Sequence, residues 1–83
     1  MKKSFKKLKK SFKREILEAK HSGIESILLS PDIDEPIFLD VSQDDESLSE
    51  IATLNGWQDQ FLVIDFKRGM EKVLKCDTLK IAS

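Results

Sequence analysis

The chain contains one run, residues 60–66, in which alternate positions are apolar on both faces of an extended strand. Phe61 and Val63 would point to one side of such a strand, and Leu62 and Ile64 would point to the other. A strand with two apolar faces needs cover on both sides. The pattern therefore predicts that this strand lies in the middle of a sheet.

Apolar residues recur at spacings of three and four along residues 1–22, a period typical of an amphipathic helix. Gly23 predicts the end of this helix, because glycine readily adopts the left-handed conformation found after helix termini. The apolar stripe would pack on the sheet or, as an alternative, join two copies of the chain through Phe5, Leu8 and Phe12. Its members are Phe5, Leu8, Phe12, Ile16 and Ala19.

Shorter apolar runs predict the other strands. Residues 27–29 form a first strand, and the prolines that bracket residues 32–36 predict a turn, because proline cannot donate a ladder hydrogen bond. Further strands are predicted at residues 37–41, 70–76 and 78–82, and residues 37–41 should pair antiparallel with the first strand.

Residues 42–56 fit two different structures. Their apolar spacing and a capping box from Ser47 to Glu50 predict a short helix that ends at an Asn-Gly pair. The same Asn-Gly pair would also form a tight hairpin turn between two strands. The helix is the favoured prediction, and Trp57 after it is predicted to fill the core.

Together these elements predict an α+β fold in a single domain of residues 1–83. An N-terminal amphipathic helix would pack on an antiparallel sheet of four to five strands, and a small closed barrel is an alternative arrangement of the same strands. The chain has 83 residues, of which 40% are hydrophobic, as expected for a folded domain with one modest core.

The formal net charge of -1 conceals a strong division along the chain. Residues 1–14 carry eight bases and no acid, whereas the rest of the chain holds six bases against all 15 acids. A cationic helix start on an acidic body predicts a partner of opposite charge. Cys76 is the only cysteine and no segment is long enough to span a membrane, so a reducing, cytoplasmic location is expected.

The favoured function is that of a small non-enzymatic regulatory or binding protein whose basic helix engages nucleic acid. In the alternative, the acidic surface is the binding surface, and it binds and blocks a basic protein. The predicted nucleic-acid contacts are Lys2, Lys3, Lys6, Lys7, Lys9, Lys10, Lys13 and Arg14. The acidic surface of the alternative would comprise Asp32, Asp34, Glu35, Asp40, Asp44, Asp45 and Glu46.

A third hypothesis is a small metal-dependent nuclease. Asp32 follows a proline, and Asp65 precedes Lys67 by two residues, which resembles the scattered carboxylate and lysine pattern of such enzymes. This motif is short enough to arise by chance, and 83 residues leave little room for a nuclease core. His21 and Cys76 lack partners at a recognisable spacing. We therefore expect no enzyme activity, metal or cofactor.

The last third of the chain resembles the closing part of Sm-like small barrels of the bacterial Hfq and Rof type. The resemblance rests on Asp-Gln-Phe-Leu-Val-Ile at residues 59–64 and Cys-Asp-Thr-Leu-Lys-Ile at residues 76–81. It implies a non-enzymatic regulator that binds RNA or a protein of the transcription machinery. No RNA-contacting residue can be carried over from those families.

Overall fold

The computed structural model describes residues 5–76, and their arrangement confirms the predicted α+β class. The first residues of the predicted N-terminal helix and the predicted strand at residues 78–82 lie outside the described part. In chain order the elements are α1 (Phe5–Ser11), α2 (Lys13–His21), β1 (Ser26–Ser30), β2 (Ile33–Leu39), α3 (Asp45–Leu54), β3 (Gln60–Asp65) and β4 (Met70–Lys75).

The four described strands form one antiparallel sheet in the order β2-β1-β3-β4. Two hairpins, β1–β2 and β3–β4, lie side by side and are joined through pairing of β1 with β3. Strand β4 does not pair with β2, so the sheet of residues 5–76 is open. The alternative of a small closed barrel is therefore not observed.

The two faces of the sheet are covered by different helices, which gives the domain three layers. A first apolar cluster lies under α1 and α2, and a second lies under α3. The buried members of the first cluster are Leu8, Phe12, Ala19, Ile27, Leu29, Leu62 and Ile64. Those of the second are Leu28, Leu48, Ala52, Trp57, Phe61 and Val63.

Strand β3 occupies the interior position that its sequence predicts. Leu62 and Ile64 belong to the first cluster, and Phe61 and Val63 belong to the second, so each face of the strand meets its own helical layer. The prediction for Trp57 is also confirmed. Its indole is buried and meets the Phe61 ring edge-on, with ring centroids 5.9 Å apart.

Both α2 and α3 end in the same backbone motif, which depends on a glycine with positive φ. After α2, the N–H of Ile24 donates to the carbonyl of Ala19 at 3.0 Å across Gly23, whose φ is 78°. After α3, the N–H of Trp57 donates to the carbonyl of Ala52 at 3.0 Å. These are Schellman bonds, and each pairs a helix residue with a residue of the same apolar cluster.

The N-terminal helix is interrupted at Phe12, which corrects the prediction of one continuous helix. Phe12 lies between α1 and α2 with φ −105° and ψ 24°. Hydrogen bonds from the Phe12 N–H to the Leu8 carbonyl and from the Ile16 N–H to the Phe12 carbonyl span the interruption. The apolar stripe therefore continues across it, with Leu8, Phe12 and Ala19 in one cluster.

Strand β2 begins at Ile33, earlier than predicted, and Pro36 lies inside it. The predicted turn at residues 32–36 is shortened to Pro31 and Asp32, since Ser30 already pairs with Ile33. A register shift between Leu28 and Ser30 of β1 accommodates the proline. β2 is an edge strand, where a residue without an N–H is tolerated.

Residues 45–54 form a helix, so the favoured prediction for this segment is confirmed and the hairpin is excluded. The predicted capping residue was wrong. The N-cap is Asp44, whose Oδ1 accepts a hydrogen bond from the Ser47 N–H at 2.8 Å. Ser47 itself occupies the first turn, because an aspartate three residues earlier is an effective cap.

Candidate nucleic-acid interface

The outer side of α1 and α2 carries Lys6, Lys10, Lys13 and Arg14, which we call the basic face. Lys6, Lys10 and Lys13 are spaced by four and three residues and point away from the buried stripe. All four side chains are exposed, and none forms an ion pair within residues 5–76. At 1.5 Å per residue, the ridge from Lys6 to Lys13 is about 10 Å long.

Two other bases of the predicted set have protein partners. Lys9 Nζ lies 2.9 and 3.0 Å from the two carboxylate oxygens of Glu71, which joins α1 to strand β4. Lys7 also has an interaction partner. These two residues are therefore less suited to an external ligand than the basic face. Lys2 and Lys3 lie outside the described residues.

The ridge continues along α2 beyond the predicted arm. Leu17 and Lys20 follow Lys13 at spacings of four and three, and both are exposed. Lys20 lies outside the acid-free first fourteen residues and so was not among the predicted contacts. The repeat of four and three residues from Lys6 onward was the signal that would have found it.

An open cleft follows one flank of α2, and three residues of the basic face, Lys10, Lys13 and Arg14, line it. Glu15 and Glu18 share this cleft and lower its positive charge. An anion on the basic face would therefore lie close to these two carboxylates.

The predicted acidic surface does not form one patch. Asp44, Asp45 and Glu46 lie at the start of α3, on the far side of the sheet from the basic face. Asp32, Asp34 and Glu35 follow the β1–β2 turn, at the opposite end of the sheet. An acidic interface of the kind predicted would have to span both ends of the sheet, with Asp40 between the two groups along the chain.

Several acids at the α3 end of the sheet already have structural roles. Asp45 forms an ion pair with Lys72 of β4. The Ser47 N–H that donates to Asp44 lowers the pKa of this carboxyl below its ordinary value. The Ser42 hydroxyl donates to Glu25 and lowers the pKa of that carboxyl. These contacts tie the β2–α3 loop to the sheet.

The structure does not bring together the two carboxylates of the nuclease hypothesis, which lie at opposite ends of β1. Asp65 pairs with Ser26 at one end of this strand, whereas Asp32 comes after Ser30 at the other. Four strand residues of about 3.3 Å each separate the ends by roughly 13 Å. No cluster of three potential metal ligands occurs anywhere in residues 5–76.

Asp65 and Lys67 have local structural partners instead. Asp65 Oδ1 accepts a hydrogen bond from the Arg68 N–H at 3.0 Å and so shapes the β3–β4 turn, which Gly69 completes with φ 64°. Lys67 Nζ lies 3.5 Å from Glu25 Oε1. These contacts give both residues of the Asp-x-Lys sequence a local structural role.

The apolar stripe is not a surface for self-association, which corrects that alternative. Leu8 and Phe12 are buried in the first cluster, and Phe5 packs against it.

The Cys76 thiol is partly buried, and the removal of water around it raises its pKa, so little reactive thiolate forms near neutral pH.

Comparison with models of protein families, with curated proteins and with solved structures finds no match. The resemblance to Sm-like barrels therefore stays a prediction from the sequence. Within residues 5–76, no helix has the length and apolar character required to cross a bilayer.

Proposed function

We propose that the chain is a small non-enzymatic binding protein whose basic face engages the phosphate backbone of nucleic acid. One observation carries the proposal: Lys6, Lys10, Lys13 and Arg14 are exposed together and form no ion pair with any other residue between 5 and 76. Four such cations on a helix with a fixed position are more than ordinary surface charge requires.

The layered fold reduces the electrostatic obstacle posed by the acidic body. Asp44, Asp45, Glu46 and Glu50 belong to the α3 layer, and the sheet separates them from the basic face. A polyanion on the outer side of α1 and α2 would thus approach the cations while the acids of α3 face away, and Glu15 and Glu18 of α2 are the acids that remain near it. Binding on this side alone follows from the charge distribution.

The basic face offers mainly lysines, which contact phosphates as point charges and do not read base edges. We therefore expect weak binding that depends little on sequence and strongly on salt. Each neutralised phosphate on a duplex lowers log K by about 0.9 per unit of log salt concentration. Four contacts would give a slope of about −3.6.

The test compares two variants with equal loss of charge. One carries Lys6→Gln, Lys10→Gln and Lys13→Gln on the basic face. The matched control carries Lys67→Gln, Arg68→Gln and Lys72→Gln, at the β3–β4 hairpin and outside the basic face. Fluorescence anisotropy with labelled nucleic acid measures the affinity over a range of salt concentrations.

We expect the basic-face variant to lose about three units of salt slope and most of its affinity at low salt. The control should keep a slope close to that of the parent. Equal losses in both variants would show that total charge, and not this face, controls binding. If the parent does not bind nucleic acid at 50 mM salt, the proposal is wrong and the acidic alternative becomes the leading function.

A further inference from the structure

We infer that the outer edge of β4 pairs with β4 of a second copy of the chain, so that two sheets join into one. No strand between residues 5 and 76 pairs with this edge, because β4 is the last strand in the order of the described sheet. An edge strand presents a row of backbone N–H and C=O groups to which another strand can add. This surface lies outside the basic face that carries the proposed function.

The two edge strands of the sheet differ in how well they could accept a further strand. β2 contains Pro36, which has no N–H to donate, and its pairing with β1 shifts in register between Leu28 and Ser30. Proline and irregular pairing both protect an edge against addition of a strand. β4 contains no proline, and all 6 of its residues pair with β3 in one unbroken register. β4 is therefore the edge whose backbone is suited to pairing.

The side chains of β4 make the strand complementary to itself. Glu71, Val73 and Lys75 share the side of the sheet that α1 and α2 cover. An antiparallel pairing about a two-fold axis at Val73 would place Glu71 of each copy opposite Lys75 of the other, and Val73 opposite Val73. The two copies would thus gain two opposite-charge pairs and one apolar pair across the junction.

All three side chains are accessible for these contacts. Val73 is 44% exposed although it is apolar. Lys75 is exposed and forms no ion pair within residues 5–76. Glu71 contacts Lys9, but its side chain remains 46% exposed, and a carboxylate can accept hydrogen bonds from more than one ammonium group.

The neighbouring registers are less favourable, which selects the one centred on Val73. An axis at Lys72 would place Lys72 of the two copies directly opposite each other, and like charges in that position are destabilising. An axis at Leu74 would place Val73 opposite Lys75 and so lose both opposite-charge pairs. The register at Val73 places Lys72 opposite Leu74 on the other side of the sheet, which involves no like charges.

The dimer is expected to be weak and to depend on protein concentration. A pairing of 6 residues per copy is smaller than a standard interface, which has roughly 20–30 residues on each side. A two-fold axis perpendicular to the joined sheet also keeps the helices α1 and α2 of both copies on one side. The two basic faces would therefore repel each other at low salt.

Sedimentation equilibrium of the full chain tests this pairing. The salt concentration should be about 0.15 M, which limits the repulsion to a range of about 8 Å, and the protein concentration should reach about 1 mM. Glu71→Lys and Lys75→Glu each place like charges opposite each other twice. Either variant alone should therefore dimerise at least about tenfold more weakly than the parent.

An equimolar mixture of the two variants restores opposite charges at both positions, so it should dimerise about as tightly as the parent. Recovery in the mixture would also show that both variants are folded. The matched control is Glu35→Lys, which makes the same change of charge at an exposed position on β2. It should dimerise as the parent does.

A parent that stays monomeric at about 1 mM would overturn the inference. If its outward-facing β4 N–H groups then exchanged slowly with solvent, the edge would be assigned to the predicted strand at residues 78–82 of the same chain. A dimeric parent whose affinity does not change in either charge variant would place the contact on another surface and would equally overturn the inference. Neither outcome affects the test of nucleic-acid binding, which uses residues of the basic face.

Discussion

Leu28 and Leu29 are adjacent in β1 and point to opposite sides of the sheet, so they test the three-layer architecture directly. Both side chains are 0% exposed, but Leu28 belongs to the cluster under α3 and Leu29 to the cluster under α1 and α2. Replacing either by alanine removes the same atoms from two different cores. Each substitution should cost about 2–5 kcal/mol of unfolding free energy.

These losses are large for a chain of 83 residues. Domains are stabilised by roughly 0.05–0.15 kcal/mol per residue, which gives about 4–12 kcal/mol here. Urea denaturation followed by the fluorescence of the buried Trp57 is a suitable assay. With an m-value of about 1–3 kcal/mol/M, a loss of 3 kcal/mol would lower the midpoint by roughly 1–3 M.

The matched control is Leu54→Ala, because Leu54 is 71% exposed at the end of α3. It should change the unfolding free energy by no more than about 0.5 kcal/mol. If Leu29→Ala behaved like this control while Leu28→Ala gave the full loss, α1 and α2 would not cover their face of the sheet. Should either core variant fail to fold, Ile27→Val and Val63→Ala give milder tests of the same two clusters.

Two further predictions concern carboxylates on the helices. Glu15 interrupts the buried stripe, and its Oε2 is buried without a hydrogen-bond partner in the described part of the chain. Because a buried polar atom without a partner is destabilising, Glu15→Leu should raise the urea midpoint of unfolding. The control Glu18→Leu, at an exposed position, should not. Asp44 has a lowered pKa in the folded state, so its stabilising effect is present above its unfolded pKa and is lost as the pH falls through the folded value. Asp44→Asn keeps a capping oxygen without this titration, so its urea midpoint should fall less steeply below about pH 4 than that of the parent; identical pH profiles would contradict this role for Asp44.

An element was predicted correctly where its local sequence pattern and its position in the fold call for the same residues. The two apolar faces of β3 required an interior strand, and Gly23 matched a helix end. Pro36 was misjudged because its cost depends on whether its strand is at an edge, which only the pairing of β1 with β3 decides. Similarly, Asp44 and Ser47 are both acceptable caps in isolation, and the structure begins α3 after Asp44.

The candidate interface also depends on contacts that the local sequence does not contain. The density of bases near the N-terminus was visible in the sequence, but the pairing of Lys9 with Glu71 joins residues far apart in the chain. The separation of the basic face from the acidic start of α3 depends on which side of the sheet each helix covers. No periodicity within either helix contains that information.

The pairing of β1 with β3 also has a consequence for how the chain folds. Both hairpins join strands that are neighbours in sequence, so each can form through local contacts. The pairing of Leu28 with Val63 must instead enclose β2 and α3 in one loop, and the entropy of that loop is lost before either core is complete. Docking of the two hairpins is thus the step expected to set the folding rate.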